Sequence, residues 1–202
     1  MTESWKQMTL GQWKRLTHIP DDGEDRVFEM VAVLCDTTLD DIMNRPIQEV
    51  GGLTKKLNFL SEKKPMLRRV RSRYRLGETE YVFRMDPRSI TVSQYIDYVN
   101  IPKDTDHMAE LLSVFLIPEG SDKYNEGYNI EKVARDIDRY MLLEDANSLS
   151  AFFLSWYRIS LARMGRMTRR ALRRAVKDGA VTKEEADRTM ETIGLLRRAI
   201  SG

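Results

Sequence analysis

The chain has 202 residues, of which 42% are hydrophobic and 32% are charged, and its formal net charge is +2. That length suffices for a real hydrophobic core in one domain or two small ones. The mean hydropathy of −0.48 and the lack of any apolar run near the roughly 20 residues that span a bilayer argue against a membrane protein. The first residues lack a signal-peptide pattern, and the single Cys35 excludes an intrachain disulfide, so we expect a soluble protein in a reducing compartment.

Residues 1–64 predict a first helical unit. Its opening helix runs from Thr9 to Thr17, where apolar residues recur at helical spacing. After a break that contains Pro and Gly, Asp21 or Asp22 is the predicted N-cap of a second helix, whose apolar stripe ends at Cys35.

Two further helices complete this unit in the prediction. A short one covers residues 39–43, and a longer one starts at Pro46, which suits a first helical turn, and continues to Leu60. Gly51 and Gly52 inside the longer helix cost about 1 kcal/mol each relative to alanine. We interpret them as the mark of a closely packed neighbouring helix.

Residues 65–88 predict a β-hairpin. Side chains alternate from Arg69 to Leu76, Gly77-Glu78 forms a tight turn, and a returning strand places alternate apolar side chains, up to Met85, on one face. The opposite face of the first strand carries a row of arginines: Arg69, Arg71, Arg73 and Arg75. Glu78 and Glu80 are positioned to offset part of this positive charge across the strands.

Residues 89–157 predict a second helical unit that repeats the first. The stretch from Ile90 to Tyr98 has the same order of residue types as the stretch from Met8 to Leu16: apolar, Thr, apolar, small, Gln, aromatic. Ile101-Pro102 then repeats Ile19-Pro20. The predicted helices that follow cover residues 108–116, 130–140 and a stretch from Leu143 onward.

Residues 158–202 predict a basic helical hairpin. Its first arm is arginine-rich, Asp178-Gly179 ends that arm, and a capping box that starts at Thr182 opens the second arm. The predicted fold is therefore mainly α, with two pseudo-repeated helical units joined by a β-hairpin and followed by a basic C-terminal helical hairpin.

No pattern in the sequence indicates catalysis. Neither His18 nor His107 has a Cys, Asp or His at metal-ligand spacing on a shared helix face, and Cys35 lies on an apolar stripe without a basic activating neighbour. Walker and GxGxxG loops are absent. We expect no enzyme activity, no cofactor and no metal, and we interpret three aromatic residues as core anchors: Trp13, Tyr95 and Trp156.

The two basic segments predict an interaction surface. They favour an acidic or helical protein partner, with nucleic acid and an ordinary solvated helix face as the alternatives. The candidate partner-binding residues are Arg69, Arg71, Arg73, Arg75, Arg163, Arg166, Arg169, Arg170 and Arg173.

Several stretches of the first unit together resemble the bacteriophage tail assembly chaperones. They are Thr9-Leu10-Gly11-Gln12-Trp13, Val33-Leu34-Cys35, Leu39-Asp40-Asp41-Ile42, Pro46-Ile47-Gln48-Glu49-Val50 and Leu57-Asn58-Phe59-Leu60. The resemblance covers about the first third of the chain clearly and the second unit more loosely. It implies a non-enzymatic assembly factor that covers helical segments of a tape-measure protein and recruits tail-tube subunits in the cytoplasm of a bacterial host.

Two other functions stay open on the sequence. One is a structural virion component, such as a neck, baseplate or tail protein, whose hairpin docks on the sheet of a neighbouring subunit. The other is a basic helical protein that binds nucleic acid.

Overall fold

The computed structural model of the chain describes residues 1–64, 67–83, 90–121, 124, 128–178 and 182–184. Within the helices, the side chains of residues 92, 95, 154, 156–169, 171 and 172 lie outside this description. The chain divides into two compact units, Met1–Ser150 and Ala151–Gly202. The described residues are mainly helical and contain one antiparallel sheet of three strands, which confirms the predicted class of a mainly α protein with a β-hairpin.

The elements follow one another as the hydrophobic periodicity predicts in most of the chain. The α-helices are α1 (Leu10–Thr17), α2 (Arg26–Cys35), α3 (Leu39–Met43), α4 (Ile47–Lys55), α5 (Val92–Asn100), α6 (Met108–Ser113), α7 (Ile130–Tyr140) and α8 (Leu143–Lys177). A 3₁₀ helix (Lys56–Ser61) extends α4. The strands are β1 (Arg73–Leu76), β2 (Thr79–Phe83) and β3 (Leu116–Pro118).

Three helices begin with a reciprocal capping box, in which a Thr hydroxyl and the side chain three residues later satisfy each other's backbone amides. The pairs are Thr9 with Gln12 in α1, Thr38 with Asp41 in α3, and Thr91 with Gln94 in α5. Both glutamines are buried and also donate from Nε2 to a distant carbonyl: Gln12 to Val33 at 3.5 Å, and Gln94 to Val114 at 2.8 Å. Each amide thus ties the start of one helix to a chain segment about 20 residues later.

The predicted hairpin is confirmed, although β1 begins at Arg73 and not at Arg69. A two-residue turn at Gly77-Glu78 joins the strands, and Gly77 has a φ of +61°, which favours glycine. Tyr81 and Phe83 point to the buried face of β2, as the alternation predicts. Met85 lies outside the described residues.

The third strand was not predicted. The helix expected over residues 108–116 ends at Ser113, because Leu116 and Ile117 pair in the sheet with Phe83 and Val82. The side chains of Leu116 and Ile117 are both fully buried, which suits a strand covered on both faces better than an amphipathic helix.

Helix α7 packs on α6, on α1 and on the sheet strand β1. Its stripe is buried at Val133 and Ile137, whereas Tyr140 at the predicted end of the stripe is exposed. The contact with α1 is very close at Gly11, where a Cβ would lie 2.6 Å from the carbonyl oxygen of Asp138. Only glycine fits the backbone approach of these two helices.

The close approach predicted at Gly51 and Gly52 is wrong. No atom lies within 4 Å of a Cβ built at either position among the described residues. Helix α4 instead packs through Val50 and Leu53, so its glycines are not needed for helix contact.

The predicted N-cap of the second helix is also wrong. Helix α2 begins at Arg26, and Asp25 precedes it without a side-chain capping bond. Asp21 forms an ion pair with Arg26 at 2.7 Å, so its carboxylate binds a side chain and not the amides of the helix end.

Helices α2 to α4 surround a small apolar cluster. Its buried members are Val31, Ala32, Ile42 and Val50, and partly buried side chains pack against it, Phe28 and Cys35 among them. The predicted anchor Trp13 is half-buried and contacts Trp5, with ring centroids 5.8 Å apart. The side chains of the other two predicted anchors, Tyr95 and Trp156, lie outside the described set. Nearly all residues of the predicted last helix, which starts at Thr182, also lie outside it.

Candidate partner-binding surfaces

The chain segment before β1 is held by two buried carboxylates. Glu144 and Asp145 lie in the first turn of α8 and are nearly inaccessible to solvent. Arg68 pairs with Glu144, and Arg71 pairs with Asp145. The helix N-terminus favours both negative charges, and the arginines neutralise charges that burial alone would penalise. Arg71, one of the candidate partner-binding residues, therefore has a structural contact inside the chain.

Ser148 strengthens the same contact one turn further along α8. Its hydroxyl oxygen accepts a hydrogen bond from the backbone amide of Arg68 at 2.8 Å, and its hydroxyl donates to the Glu144 carbonyl at 2.6 Å. Tyr74 accepts a hydrogen bond from the Arg71 amide at 3.0 Å, and its ring lies under the Arg71 guanidinium, 5.1 Å away. We call the set Arg68, Arg71, Glu144 and Asp145 the linker clamp.

The other arginines of the hairpin differ in their surroundings. Arg73 lies 3.1 Å from a carboxylate oxygen of Glu119 and 3.8 Å from one of Glu80, which agrees with the predicted charge compensation by Glu80. Arg69 and Arg75 are exposed, and no described carboxylate forms an ion pair with either. Of the four predicted arginines, these two keep a free positive charge within the described part of the chain.

Strand β1 lies at an edge of the sheet, since the strand order is β1-β2-β3. Tyr74 pairs with Tyr81 and Leu76 with Thr79 around a two-residue turn, so the backbone groups of Arg73 and Arg75 point away from β2. No described strand pairs with that edge. An exposed edge with arginine side chains is protected against self-pairing, yet it can accept an added strand.

Helix α8 contains a long run of basic residues without an acidic one. Residues 158–177 contain eight Arg or Lys residues and no acidic residue. Four of these side chains are described, and all are exposed without an ion pair to any described carboxylate: Arg170, Arg173, Arg174 and Lys177. The backbones of Arg163, Arg166 and Arg169 lie in the same helix, but their side chains are outside the described set. We call residues 158–177 the basic arm.

Each of the two histidines lies close to an aspartate side chain. His18 lies at the end of α1, where its Nδ1 contacts the Lys14 carbonyl at 2.7 Å and its Nε2 lies 3.4 Å from a carboxylate oxygen of Asp106. These contacts raise the pKa of His18, the carbonyl contact contributing most. His107 lies 2.7 Å from Asp104 and lowers the pKa of that carboxyl group. Among the described residues, no three potential ligands cluster as a metal site would need.

A cleft of about 720 Å³ in the first compact unit lies among α1, α5, α6 and α7. Its charged lining is mixed, and Lys14 and Asp138 neutralise each other there at 3.0 Å. A second cleft of about 550 Å³ beside α1 contains Arg135 and Arg139. Neither cleft brings together a nucleophile and a base at hydrogen-bonding distance in the described residues. Cys35 is half-buried against the apolar cluster of α2 to α4.

Sequence reasoning missed the linker clamp and the tyrosines near β3. Leu143-Glu144-Asp145 has the pattern of any helix start with acidic residues, and only three-dimensional packing shows that both carboxylates are buried. Tyr128 donates from its hydroxyl to the Leu116 carbonyl at 2.7 Å, and burial raises its pKa. In the sequence, the segment around Tyr128 has the composition of a turn-rich insertion. Its two tyrosines, Tyr124 and Tyr128, were the signal that it packs against other parts of the chain.

Comparisons with protein-family models, with curated proteins and with solved structures find no match to this chain. Within the described residues, none of the helices is both long enough and apolar enough to cross a membrane.

Proposed function

We propose that this protein is a non-enzymatic assembly factor of the phage tail assembly chaperone class, which binds a helical tape-measure segment and a tail-tube partner. The proposal rests on the motif resemblance of the first unit and on the basic arm. Phage tails assemble in the cytoplasm of the bacterial host, so the protein acts there under this proposal.

The exposure of the four described basic side chains near the end of the arm, Arg170, Arg173, Arg174 and Lys177, is the observation that carries the proposal. If its arginines served the fold, carboxylates of the same chain would pair with them, as Glu144 and Asp145 do with the linker arginines. Arg170 and Arg173 have no such partner among the described residues. A row of unpaired guanidinium groups along one helix binds acidic side chains of a partner by paired hydrogen bonds and charge.

We further propose that the chain contains two related helical units. The support is the repeated geometry of Gln12 and Gln94, which cap one helix and bond to Val33 and Val114, respectively. The order Thr-x-x-Gln alone is a common helix start. The additional hydrogen bond from each glutamine to a carbonyl 20 or 21 residues later is not part of that common motif, so it supports the repeat more strongly than the motif alone.

Co-expression tests the assembly function. The protein carries an affinity tag and is produced together with the longest helical protein encoded beside it. The test variant reverses three exposed charges of the basic arm, R170E/R173E/R174E. The control variant makes the same charge change elsewhere, at three exposed lysines without described ion pairs: K6E, K55E and K132E.

The wild type and the control variant are expected to retain the helical protein at moderate ionic strength, and the basic-arm variant is expected to lose most of it. Retention of the partner by all three proteins would contradict a role for the basic arm. Failure of the wild type to bind any helical tail protein would contradict the assembly function itself. Salt-sensitive nucleic acid in place of protein would favour the alternative of a nucleic-acid-binding protein.

The open edge of β1 favours a second candidate function, a structural virion component that docks on the sheet of a neighbouring subunit. A proline at Arg75 removes an amide that faces the open edge and leaves the hydrogen bonds of β1 to β2 in place. If the protein forms a closed ring, as this candidate requires, R75P is expected to dissociate it in size-exclusion chromatography with light scattering. A wild-type monomer would refute this candidate.

A further inference from the structure

Three large apolar side chains on helices α2, α3 and α4 are exposed to solvent. Ile47 at the start of α4 is 83% exposed, Met43 at the end of α3 is 56% exposed, and Val27 in α2 is 45% exposed. Each belongs to a helix that also contributes to the buried cluster of Val31, Ala32, Ile42 and Val50. Single exposed apolar side chains are ordinary, but exposed apolar side chains on three helices that pack around one cluster are candidates for a surface that a partner covers.

The charged residues nearest to these side chains along the chain are almost all negative. Residues 21–50 contain nine acidic residues and two arginines, and each of the two arginines already pairs with a carboxylate of the same segment. Four carboxylates are exposed with neither an ion pair nor a side-chain hydrogen bond among the described residues: Asp22, Glu24, Asp25 and Asp40. Asp25 lies two residues before Val27, and Asp40 lies three residues before Met43 on α3, so unpaired negative charges flank the apolar side chains along the chain.

We infer that Val27, Met43 and Ile47 form the docking surface for a basic amphipathic helix of a partner protein. The apolar face of such a helix covers the three exposed side chains, and its lysines and arginines face the unpaired carboxylates. This inference deepens the proposed function, on which it rests, because it assigns a chemistry to one bound helix. It also gives the chain two surfaces of opposite charge, since the basic arm suits an acidic partner.

Charge selects this occupant over the others. An acidic helix would meet like charges from Asp22, Glu24 and Asp25, and like-charge juxtaposition weakens binding. A purely apolar segment would leave the carboxylates without partners. The basic arm of a second copy of this chain is another basic helix that could occupy the surface. The test below distinguishes that arm from the helix of a different protein.

Binding is measured by fluorescence anisotropy with the full-length protein and labelled peptides of about 18 residues, which form five helical turns. The main probe has Leu at helical spacing on one face and Lys on the other. A second peptide has the same composition in scrambled order, a third has Glu in place of Lys, and a fourth has the sequence of residues 158–177. The inference predicts that the main probe binds at least about tenfold more tightly than the scrambled and Glu peptides, and no more weakly than the 158–177 peptide.

Two variants locate the binding surface. M43Q/I47Q removes exposed apolar contacts, and its control I96Q removes another exposed isoleucine, on α5. D22N/E24Q/D25N removes unpaired negative charges, and its control E62Q/E78Q/E131Q neutralises three other exposed carboxylates without described ion pairs. Each test variant is expected to weaken the main probe about tenfold or more, and each control is expected to change it less than about twofold.

Equal binding of the main and scrambled probes, or equal effects of test and control variants, would overturn the inference. Preferential binding of the 158–177 peptide would also overturn it and assign the surface to a second copy. Retention of the co-expressed helical protein despite a failed peptide test would leave the assembly function standing and refute only this surface. Loss of that retention with intact peptide binding would refute the assembly function alone.

Discussion

Gln94 donates from its side-chain amide to the backbone carbonyl of Val114 at 2.8 Å, and both residues are buried. Replacing Gln94 by alanine leaves that carbonyl without a partner and removes half of the capping box at Thr91. We expect Q94A to lower the free energy of unfolding by about 1–3 kcal/mol, measured by urea denaturation. The control Q48A changes an exposed glutamine on α4 and is expected to have an effect within about 0.5 kcal/mol. Equal effects of the two variants would show that the Gln94 bonds do not stabilise the fold.

Replacement of glycine by alanine is expected to have opposite effects on stability at Gly11 and at Gly52. A Cβ at Gly11 would lie 2.6 Å from a backbone oxygen of α7, so G11A forces α1 and α7 apart. We expect a loss of about 1–3 kcal/mol in the free energy of unfolding. G52A meets no neighbour within 4 Å and lies within a helix, so it is expected to stabilise the protein by up to about 1 kcal/mol. Thermal unfolding of the two variants checks both signs, and a stabilising G11A would refute the close packing of α1 on α7.

The linker clamp separates structural arginines from arginines that are free to bind a partner. R71A leaves the buried carboxylate of Asp145 without its cation, whereas R69A removes an exposed side chain without a described ion pair. Because Arg71 itself is largely exposed, we expect a modest loss of about 1–2 kcal/mol for R71A and less than about 0.5 kcal/mol for R69A. Urea denaturation of both variants is the measurement. A larger loss of stability for R69A than for R71A would contradict the structural role assigned to Arg71.

His18 links the end of α1 to Asp106, which lies just before α6. Its pKa is raised by the Lys14 carbonyl contact and, to a lesser extent, by Asp106. A raised pKa in the folded state means that the protonated form adds stability, which is fully present below the ordinary value near 6.5 and is lost as the pH rises through the folded pKa. NMR titration of the His18 ring is expected to give a lower pKa in D106N than in the wild type. An unchanged titration would show that the two residues do not interact in solution.

Local rules were sufficient for the elements whose side-chain pattern and ends agree. Thr9 and Thr91 mark true helix starts, and Gly77-Glu78 marks a true hairpin turn. The pattern failed at Leu116 and Ile117, because a short and fully buried strand has no alternation that distinguishes it from a buried helix end. It failed at Gly51 and Gly52 because a glycine on an open helix face looks the same in sequence as one at a tight contact.

The candidate surfaces show the same division. The row from Arg69 to Arg75 was visible in the sequence, but the contact of Arg71 with Asp145 joins residues 74 positions apart, which no local pattern encodes. Ile47 lies in the first turn of the helix predicted from Pro46 to Leu60, and only the packing of α3 and α4 shows that its apolar side chain is exposed. Long-range contacts therefore decide which arginines and which apolar residues stay available for a partner.

Amide hydrogen exchange tests the central claim most directly, with the protein alone and in complex with the helical tail protein that co-purifies with it. The claim is that the basic arm binds this partner while the linker clamp serves the fold. It predicts that exchange slows in the complex for peptides from residues 158–177 and stays unchanged for residues 67–72. Unchanged exchange throughout residues 158–177 in a stable complex would contradict the claim.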